Sequence, residues 1–184
     1  DGRRQITGFV YQGDYLGIAS IGTHSYSAEA VTEVNLCRFP RAKLYRLFDS
    51  YPALQSRLLG IATDELTAAQ DQMLLLGRKT ASEKLASFLL SLARRMAPQD
   101  SGRMAPQDSG RMAPRGVEGD DADIAGPIPV PMNRSDIADY LGLTMETVSR
   151  TLSRLKKAGH IAITDAHHID IARPEALRNI AEGF

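Results

Sequence analysis

The side chains best suited to chemistry in this sequence lie in residues 144–150, which read Thr-Met-Glu-Thr-Val-Ser-Arg. An arginine can donate two hydrogen bonds to guanine O6 and N7, a glutamate can accept one from cytosine N4, and an apolar group can lie on a thymine methyl. If the segment is a helix, these groups lie near its N-terminal end, where a recognition helix contacts base edges. We therefore predict four base-reading residues: Met145, Glu146, Ser149 and Arg150.

The same segment allows a second interpretation, because Glu146 and Arg150 are four positions apart. On a helix, such a pair can form a surface salt bridge that contributes little to stability. The two interpretations are compatible, since a salt bridge would orient Arg150 before DNA arrives. A further set is predicted to contact phosphates, which set the register of a protein on DNA without reading its sequence: Asn133, Arg134, Ser135, Thr144, Thr147 and Arg154.

Two short helices are predicted to position these residues. Ile137, Ala138 and Leu141 give the first helix an apolar side, and Gly142 permits a sharp turn after it. Thr144 is a good N-cap for the second helix. The apolar stripe of that helix consists of Val148, Leu152 and Leu155. Two short helices joined by a tight turn with glycine form a helix-turn-helix.

A β-hairpin and a last helix follow the two helices. Residues 160–164 and 168–171 alternate apolar and polar side chains around a turn at residues 165–167, which predicts the hairpin. In this position a hairpin is the wing of a winged helix-turn-helix. Pro174 suits the start of a final short helix over Glu175–Ala181.

Charge is distributed unevenly along the chain. The 184 residues carry 22 basic and 22 acidic side chains, a formal net charge of zero. Residues 144–160 nevertheless carry four basic side chains against one acidic side chain, a balance of +3. This local excess has the sign that DNA phosphates require.

No pattern of catalytic or metal-binding residues is present. The sequence has no nucleophile-elbow motif and no glycine-rich phosphate loop. His167 and His168 are adjacent, so on a strand they point to opposite faces and cannot chelate one ion. We expect no enzyme activity, no metal site and no cofactor.

A long helix is predicted from Pro52, where apolar residues begin to recur at alternating spacings of three and four. Sustained over nearly three heptads, this pattern is typical of a helix that packs against a parallel partner helix. The alternative is a buried core helix within one subunit. A second apolar set on an adjacent face favours the dimer, because two apolar faces need two covering surfaces. The predicted dimer seam comprises Leu59, Ala62, Leu66, Ala69, Met73 and Leu76.

Residues 1–48 are predicted to form short strands separated by glycine turns. The runs of strand character are residues 5–11, 16–21, 28–31 and 34–39, which suggest an antiparallel sheet or barrel. Cys37 is the single cysteine, and we interpret it as a small core residue on a strand.

Two further segments complete the chain. Thr80-Ala81-Ser82-Glu83 has the form of a capping box at the start of another helix, whose buried stripe is Leu85, Phe88, Leu89 and Leu92. Residues 95–110 contain a tandem repeat of Arg-Met-Ala-Pro-Gln-Asp-Ser-Gly, and residues 96–131 are predicted to form a loop insert without function. No apolar run approaches the roughly 20 residues that span a bilayer, and the N-terminus does not resemble a signal peptide. We therefore expect a soluble, cytoplasmic protein with no membrane partner.

Three groups of residues give the sequence a resemblance to a known family. They are Gly13-Asp14-Tyr15-Leu16-Gly17, Leu76-Gly77-Arg78-Lys79-Thr80-Ala81 and Glu146-Thr147-Val148-Ser149-Arg150. In this order they resemble the Crp–Fnr transcription regulators, most closely the FixK and Fnr branch. The resemblance implies an α+β fold: a partial antiparallel β-barrel of the cyclic-nucleotide-binding type at 1–50, a dimerisation helix at 51–77, and a winged helix-turn-helix at 78–184.

The resemblance also implies a target and partners. Members with Glu-x-x-Ser-Arg bind, as homodimers, a two-fold site in double-stranded DNA with half-sites like TTGAT. Arg150 would contact the guanine, Glu146 the paired cytosine and Ser149 a thymine. RNA polymerase is the implied protein partner, and activation of genes for low-oxygen respiration and nitrogen fixation is the implied role. The competing hypothesis is an effector-sensing or protein-interaction module whose winged domain does not bind DNA, but residues 144–158 lack the aromatic anchors that such a surface favours.

Two departures from the family pattern concern ligands. Cyclic-nucleotide-binding members carry a Glu soon after the glycine and an Arg-Ser pair further on, whereas here Ile18-Ala19 follows Gly17 and the pair is Tyr26-Ser27. Without these groups the cyclic phosphate has no cation and the ribose no acceptor, so we expect no cyclic nucleotide. Cys37 sits where the oxygen-sensing branch has a cluster cysteine, but one thiolate cannot hold an iron–sulfur cluster that needs about four ligands.

Overall fold

A computed structural model describes residues 4–17, 24, 26–96, 124, 126–165 and 167–184. Its elements are the helices α1 (Arg41–Ser50), α2 (Pro52–Arg78), α3 (Ala81–Met96), α4 (Arg134–Leu141), α5 (Met145–Lys157) and α6 (Pro174–Glu182), with the strands β1 (Gly126–Pro129), β2 (Ile161–Ile163) and β3 (His168–Ile171). The described residues fall into two compact units. One is built from residues 4–9, 72–96 and 124 onward, and the other from residues 10–71.

The first unit is organised around α3, whose apolar side forms the centre of the core. The predicted stripe is confirmed, because Leu85, Phe88, Leu89 and Leu92 are all buried. The predicted capping box also forms. The Glu83 N–H donates to the Thr80 hydroxyl, and the Glu83 carboxylate accepts from the hydroxyl and the backbone N–H of Thr80. α6 and α5 pack against α3 and bring Leu177, Val148 and Leu152 into the same core.

The sheet of this unit has three strands in the order β1-β3-β2, and both pairs are antiparallel. β2 and β3 are the predicted wing hairpin. β1 lies within the range predicted as a loop insert, so that prediction is wrong for residues 126–129. The strand forms because Ile128 is opposite Ile169 in the register and both side chains are buried. The tandem repeat starts at Arg95 and Met96, the last two residues of α3, and the rest of it lies outside the described residues.

The second unit contains α1, most of α2 and the described residues between Val10 and Pro40. The predicted turn at Gly13 is present, and the Asp14 carboxylate accepts a hydrogen bond from the backbone N–H of Tyr11. Within residues 4–17, 24 and 26–40, however, the structure contains no strand. A strand exists only where its N–H and C=O groups pair with a neighbour, and these residues have no place in the described ladder pairs.

Two further predictions for this region are wrong. Cys37 is exposed and is not a core residue, because no sheet packs over residues 26–40 in the described part of the chain. Residues 41–48, assigned to strands, belong to α1. This helix begins directly after Pro40, and its half-buried residues Leu44 and Phe48 are four positions apart, which is a helical spacing.

α2 has no buried residue within the single chain. Four members of the predicted dimer seam are exposed: Leu59, Leu66, Ala69 and Met73. The other two, Ala62 and Leu76, are half-buried. The alternative of a buried core helix is therefore wrong for the single chain, because core residues are covered on nearly all sides. The role of the seam in a dimer stays a prediction.

Candidate nucleic-acid interface

The turn between α4 and α5 is built from three local devices. At the start of α4, the Asn133 side chain accepts from the N–H groups of Ser135 and Asp136, and the Asn133 N–H donates to the Asp136 carboxylate. At its end, Gly142 adopts the left-handed conformation, with φ 61° and ψ 41°. Thr144 then caps α5 by accepting a hydrogen bond from the Thr147 N–H at 3.2 Å. The predicted helix-turn-helix therefore forms.

α5 has one buried face and one exposed face. Val148, Leu152 and Leu155 are buried, as is Thr151. The four predicted base-reading residues are all exposed, and they line one open surface depression at the N-terminal end of the helix: Met145, Glu146, Ser149 and Arg150. The structure therefore brings together an anion, a cation, a hydroxyl and an apolar side chain. That set can match the hydrogen-bonding edge of several base pairs in a major groove.

The predicted salt bridge between Glu146 and Arg150 is absent from the described residues. The ion pairs found there join Arg4 to Asp136 and Asp139, and His168 to Asp165. Two exposed charges gain little from pairing when water solvates both. Arg150 is therefore not held by Glu146 in the free chain, and both groups remain accessible to a ligand.

The residues predicted to contact phosphates divide by position. Asn133 and Ser135 form the exposed N-terminus of α4, and Arg134 beside them is half-buried. Partial burial lowers the pKa of the Arg134 guanidinium, although an arginine stays protonated in proteins. At the start of α5, the hydroxyls of Thr144 and Thr147 lie 2.9 Å apart. Both sites keep groups on the surface that can donate to a phosphate oxygen.

Arg154, the sixth predicted phosphate contact, has a partner that the sequence did not reveal. Its guanidinium donates a hydrogen bond to the Ser82 hydroxyl in the first turn of α3. This bond joins residues 72 positions apart, so no local pattern could have identified it. Arg154 is exposed, and the remaining N–H groups of its guanidinium fork are available for a phosphate.

The wing turn is held by Asp165. Its carboxylate accepts from the His167 backbone N–H at 2.7 Å and lies 3.0 Å from the His168 ring nitrogen Nδ1. The backbone hydrogen bond from His167, followed by the side-chain contact with His168, lowers the pKa of Asp165.

In the described residues no cluster of three or more His, Cys, Asp or Glu side chains is arranged to hold a metal ion. None of the described helices is long and apolar enough to span a membrane.

Comparison with protein families gives two matches. Residues 83–180, more than half of the chain, match the Crp-like helix-turn-helix domain. Residues 1–51 match the cyclic nucleotide-binding domain. The two matches occur in the predicted order and confirm the expected α+β class.

Among curated proteins, the chain is similar to the nitrogen fixation regulation protein FixK of Bradyrhizobium diazoefficiens, with 42% identity over 179 residues, covering 96% of this chain and 66% of the relative. It is also similar to FixK of Rhizobium meliloti, with 38% identity over 181 residues, covering 98% of this chain and 70% of the relative. Among solved structures, FixK2 from Bradyrhizobium japonicum superposes with a TM-score of 0.58 at 35% identity, covering 76% of this chain and 58% of that chain. The chain thus spans about two thirds of the length of the first of these relatives.

Proposed function

Because the chain belongs to the Crp–Fnr family of transcription regulators, we propose that it is a sequence-specific DNA-binding regulator and not an enzyme. One observation supports this most strongly. Met145, Glu146, Ser149 and Arg150 are exposed together at the N-terminal end of α5, while the opposite face of the helix is buried. A helix held by its apolar face can enter a major groove with its polar face forward.

The proposed target is a two-fold site with TTGAT-like half-sites. Arg150 donates to guanine O6 and N7, Glu146 accepts from the paired cytosine, and Ser149 contacts a thymine. Asn133, Arg134 and Ser135, together with Thr144, Thr147 and Arg154, are the proposed phosphate contacts. Their positions at the N-termini of α4 and α5 and on the exposed side of α5 support this assignment, because helix N-termini attract phosphate.

A two-fold site requires two recognition helices, and the proposed state is a homodimer formed through α2. Three large apolar side chains of the seam are exposed in the single chain, namely Leu59 at 69%, Leu66 at 60% and Met73 at 65%. They recur at spacings of seven, the period with which parallel helices pair. Pairing two copies of α2 would remove these side chains from water.

The biological role proposed from the relatives is activation of transcription in nitrogen fixation and low-oxygen respiration, in the cytoplasm and with RNA polymerase as partner. The two FixK relatives are nitrogen fixation regulation proteins, which supports the nitrogen-fixation part of this proposal. We also propose that the region matching the cyclic nucleotide-binding domain does not bind a cyclic nucleotide. Tyr26 stands where the nucleotide-binding members have the arginine that meets the phosphate.

The test is fluorescence anisotropy of a labelled duplex with inverted TTGAT half-sites, beside a scrambled duplex at the same salt concentration. We expect Arg150→Ala to lose about 1–3 kcal/mol of the preference for the palindrome, because a bidentate contact to guanine is removed. Lys157→Ala is the matched control, since it removes one exposed cation from the last turn of the same helix. It should weaken binding to both duplexes equally.

A wild-type chain that binds both duplexes equally, or neither, contradicts the proposal. In that case the first unit, which contains the helix-turn-helix, would be an interaction module of another kind. Addition of cyclic AMP tests the remaining point, and it should leave both affinities unchanged.

A further inference from the structure

Met145 is the one member of the proposed base-reading set whose side chain is readily oxidised. It is the first residue of α5, directly after the N-cap Thr144, and 55% of it is exposed. It lines the open surface depression that it shares with Glu146, Ser149 and Arg150. Because more than half of Met145 is open to water, a small dissolved oxidant reaches its thioether without unfolding the helix.

The other described methionines differ from Met145 in exposure or in position. Met132 is buried, with 5% exposed, and Met96 is half-buried. Met73 is 65% exposed in the single chain, but it belongs to the proposed dimer seam, where a second copy of α2 would cover it. In the proposed dimer, Met145 is therefore the exposed methionine of the described part of the chain. Met104 and Met112 lie outside the described residues.

We propose that Met145 is a modification site, at which an oxidant of the peroxide class converts the thioether to a sulfoxide and so lowers the affinity for DNA. A lone pair of the sulfur attacks one peroxide oxygen, the O–O bond breaks and an S–O bond forms. The sulfur loses two electrons and the peroxide gains them. With hydrogen peroxide, the second oxygen leaves with both protons as water. Methionine sulfoxide reductases return the sulfoxide to methionine, so the modification is reversible.

The loss of affinity follows from the change in polarity, and it rests on the proposed function. A thioether is apolar and can lie on a thymine methyl, whereas a sulfoxide is polar and its oxygen accepts hydrogen bonds. The Arg150 guanidinium lines the same depression, so the sulfoxide oxygen of residue 145 competes with guanine O6 and N7 for its N–H donors. The expected loss is about five- to tenfold in affinity, the lower part of the range for one disturbed base pair.

Oxidation at this position changes the proposed base-reading set and leaves the fold intact. α5 is held to the core by its buried face, which carries Val148, Leu152 and Leu155, and Met145 is not on that face. Met132 is a contrasting case, because a sulfoxide oxygen there would be buried at a cost in stability. An unchanged Tm together with a reduced affinity for DNA therefore distinguishes oxidation of Met145 from general oxidative damage.

The experiment measures the affinity of the full chain for the TTGAT-like duplex before and after treatment with hydrogen peroxide, in a Cys37→Ser background. Cys37 is the single cysteine and is exposed, so its removal leaves methionine as the sulfur that is oxidised. We expect the parent chain to lose about five- to tenfold in affinity and methionine sulfoxide reductases to restore it. Met145→Leu should have the same affinity before and after oxidation, whatever its starting value. Met73→Leu is the matched control and should lose affinity as the parent does.

Mass spectrometry after trypsin digestion gives a readout that does not depend on affinity. Trypsin places Met145 in residues 135–150 and Met132 in residues 116–134, and neither peptide contains another methionine. When the intact chain is oxidised and then digested, the peptide with Met145 should gain one oxygen faster than the peptide with Met132. Bound palindrome should slow that gain, because the DNA would cover the side chain.

The proposal is overturned if Met145→Leu loses as much affinity on oxidation as the parent, or if the parent with residue 145 fully oxidised binds as tightly as before. Either result, in a chain that prefers the palindrome before oxidation, refutes only the modification site. A parent chain that binds the palindromic and scrambled duplexes equally before any oxidation refutes the proposed function, and the proposed effect of oxidation fails with it.

Discussion

Replacement of Gly142 by alanine tests whether the turn of the helix-turn-helix needs a residue without a side chain. Gly142 has φ 61° and ψ 41°, and its N–H donates to the Ala138 carbonyl at the end of α4. A Cβ at this position would lie 3.3 Å from Cδ2 of Leu76. The substitution thus combines an unfavourable backbone conformation with a close contact.

The left-handed backbone conformation of Gly142 contributes most of the expected loss in unfolding free energy. The left-handed region costs a residue with a Cβ about 1–2 kcal/mol, while alanine restricts the unfolded chain and returns about 0.4–1 kcal/mol. The contact with Leu76 adds little, because the atom met is the end of a flexible, half-buried side chain. We expect a net loss of about 1 kcal/mol, which lowers Tm by about 2–4 °C in a chain of this size. Gly142→Asn should lose less, since asparagine tolerates this region better.

Urea denaturation followed by circular dichroism measures the loss, and Gly77→Ala is the matched control. Gly77 lies in the last turn of α2, has no positive φ, and a Cβ there meets nothing within 4 Å. Alanine at that position should leave stability unchanged or raise it by up to about 1 kcal/mol. If Gly142→Ala is as stable as the wild type, or if both alanine variants lose stability equally, the conformational argument is refuted.

Three further predictions concern the caps and the dimer. Thr144→Ala removes the cap of α5 and should lower the unfolding free energy by about 1 kcal/mol in the same assay. Thr144→Ser keeps the hydroxyl and should retain most of the capping stabilisation. Equal losses in both variants would contradict the capping role. The hydrogen bond from the Thr80 hydroxyl, then that from the Thr80 backbone N–H, lowers the pKa of Glu83. Because the pKa is lower in the folded chain, the stabilisation is present above the unfolded pKa and is lost as pH falls through the folded pKa. Thr80→Ala should raise the Glu83 pKa in an NMR titration, and an unchanged value would exclude the hydroxyl as its cause. Leu66→Glu should shift the sedimentation mass from dimer to monomer, because it places two like charges in an apolar seam. Thr67→Glu, one exposed position away, should remain dimeric, and a wild type that sediments as a monomer would contradict the seam.

The helix-turn-helix could be predicted from the sequence almost completely. Its signals are local: an N-cap threonine, a glycine at the turn, and apolar residues at spacings of three and four along α5. Such devices act over one or two helical turns, so a short stretch of sequence contains all the groups involved. For the same reason the capping box at Thr80 and the exposed position of Arg150 followed from the pattern of neighbouring residues.

In the rest of the chain, the structure depends on contacts between residues that are distant in sequence. Alternating residues at 34–39 have strand character, but no neighbouring strand pairs with them in the described part of the chain, and Cys37 is exposed as a result. Residues 126–129 were predicted as part of a loop insert, yet β1 pairs with β3 because Ile128 is opposite Ile169. Burial against a neighbouring strand outweighed the local preference for a turn.

The sequence by itself determined the family, the order of the helices after residue 52, and the four exposed side chains at the N-terminal end of α5. The tertiary structure alone decided which groups those helices contact. It paired Arg154 with Ser82, left Glu146 and Arg150 unpaired in the described residues, and placed Arg4 against Asp136 across 132 positions of chain. The physical reason is the separation along the chain between the interacting residues. Caps and periodic stripes are set by neighbours along the backbone, whereas an ion pair or a strand partner is set by whichever residues the folded chain brings close together.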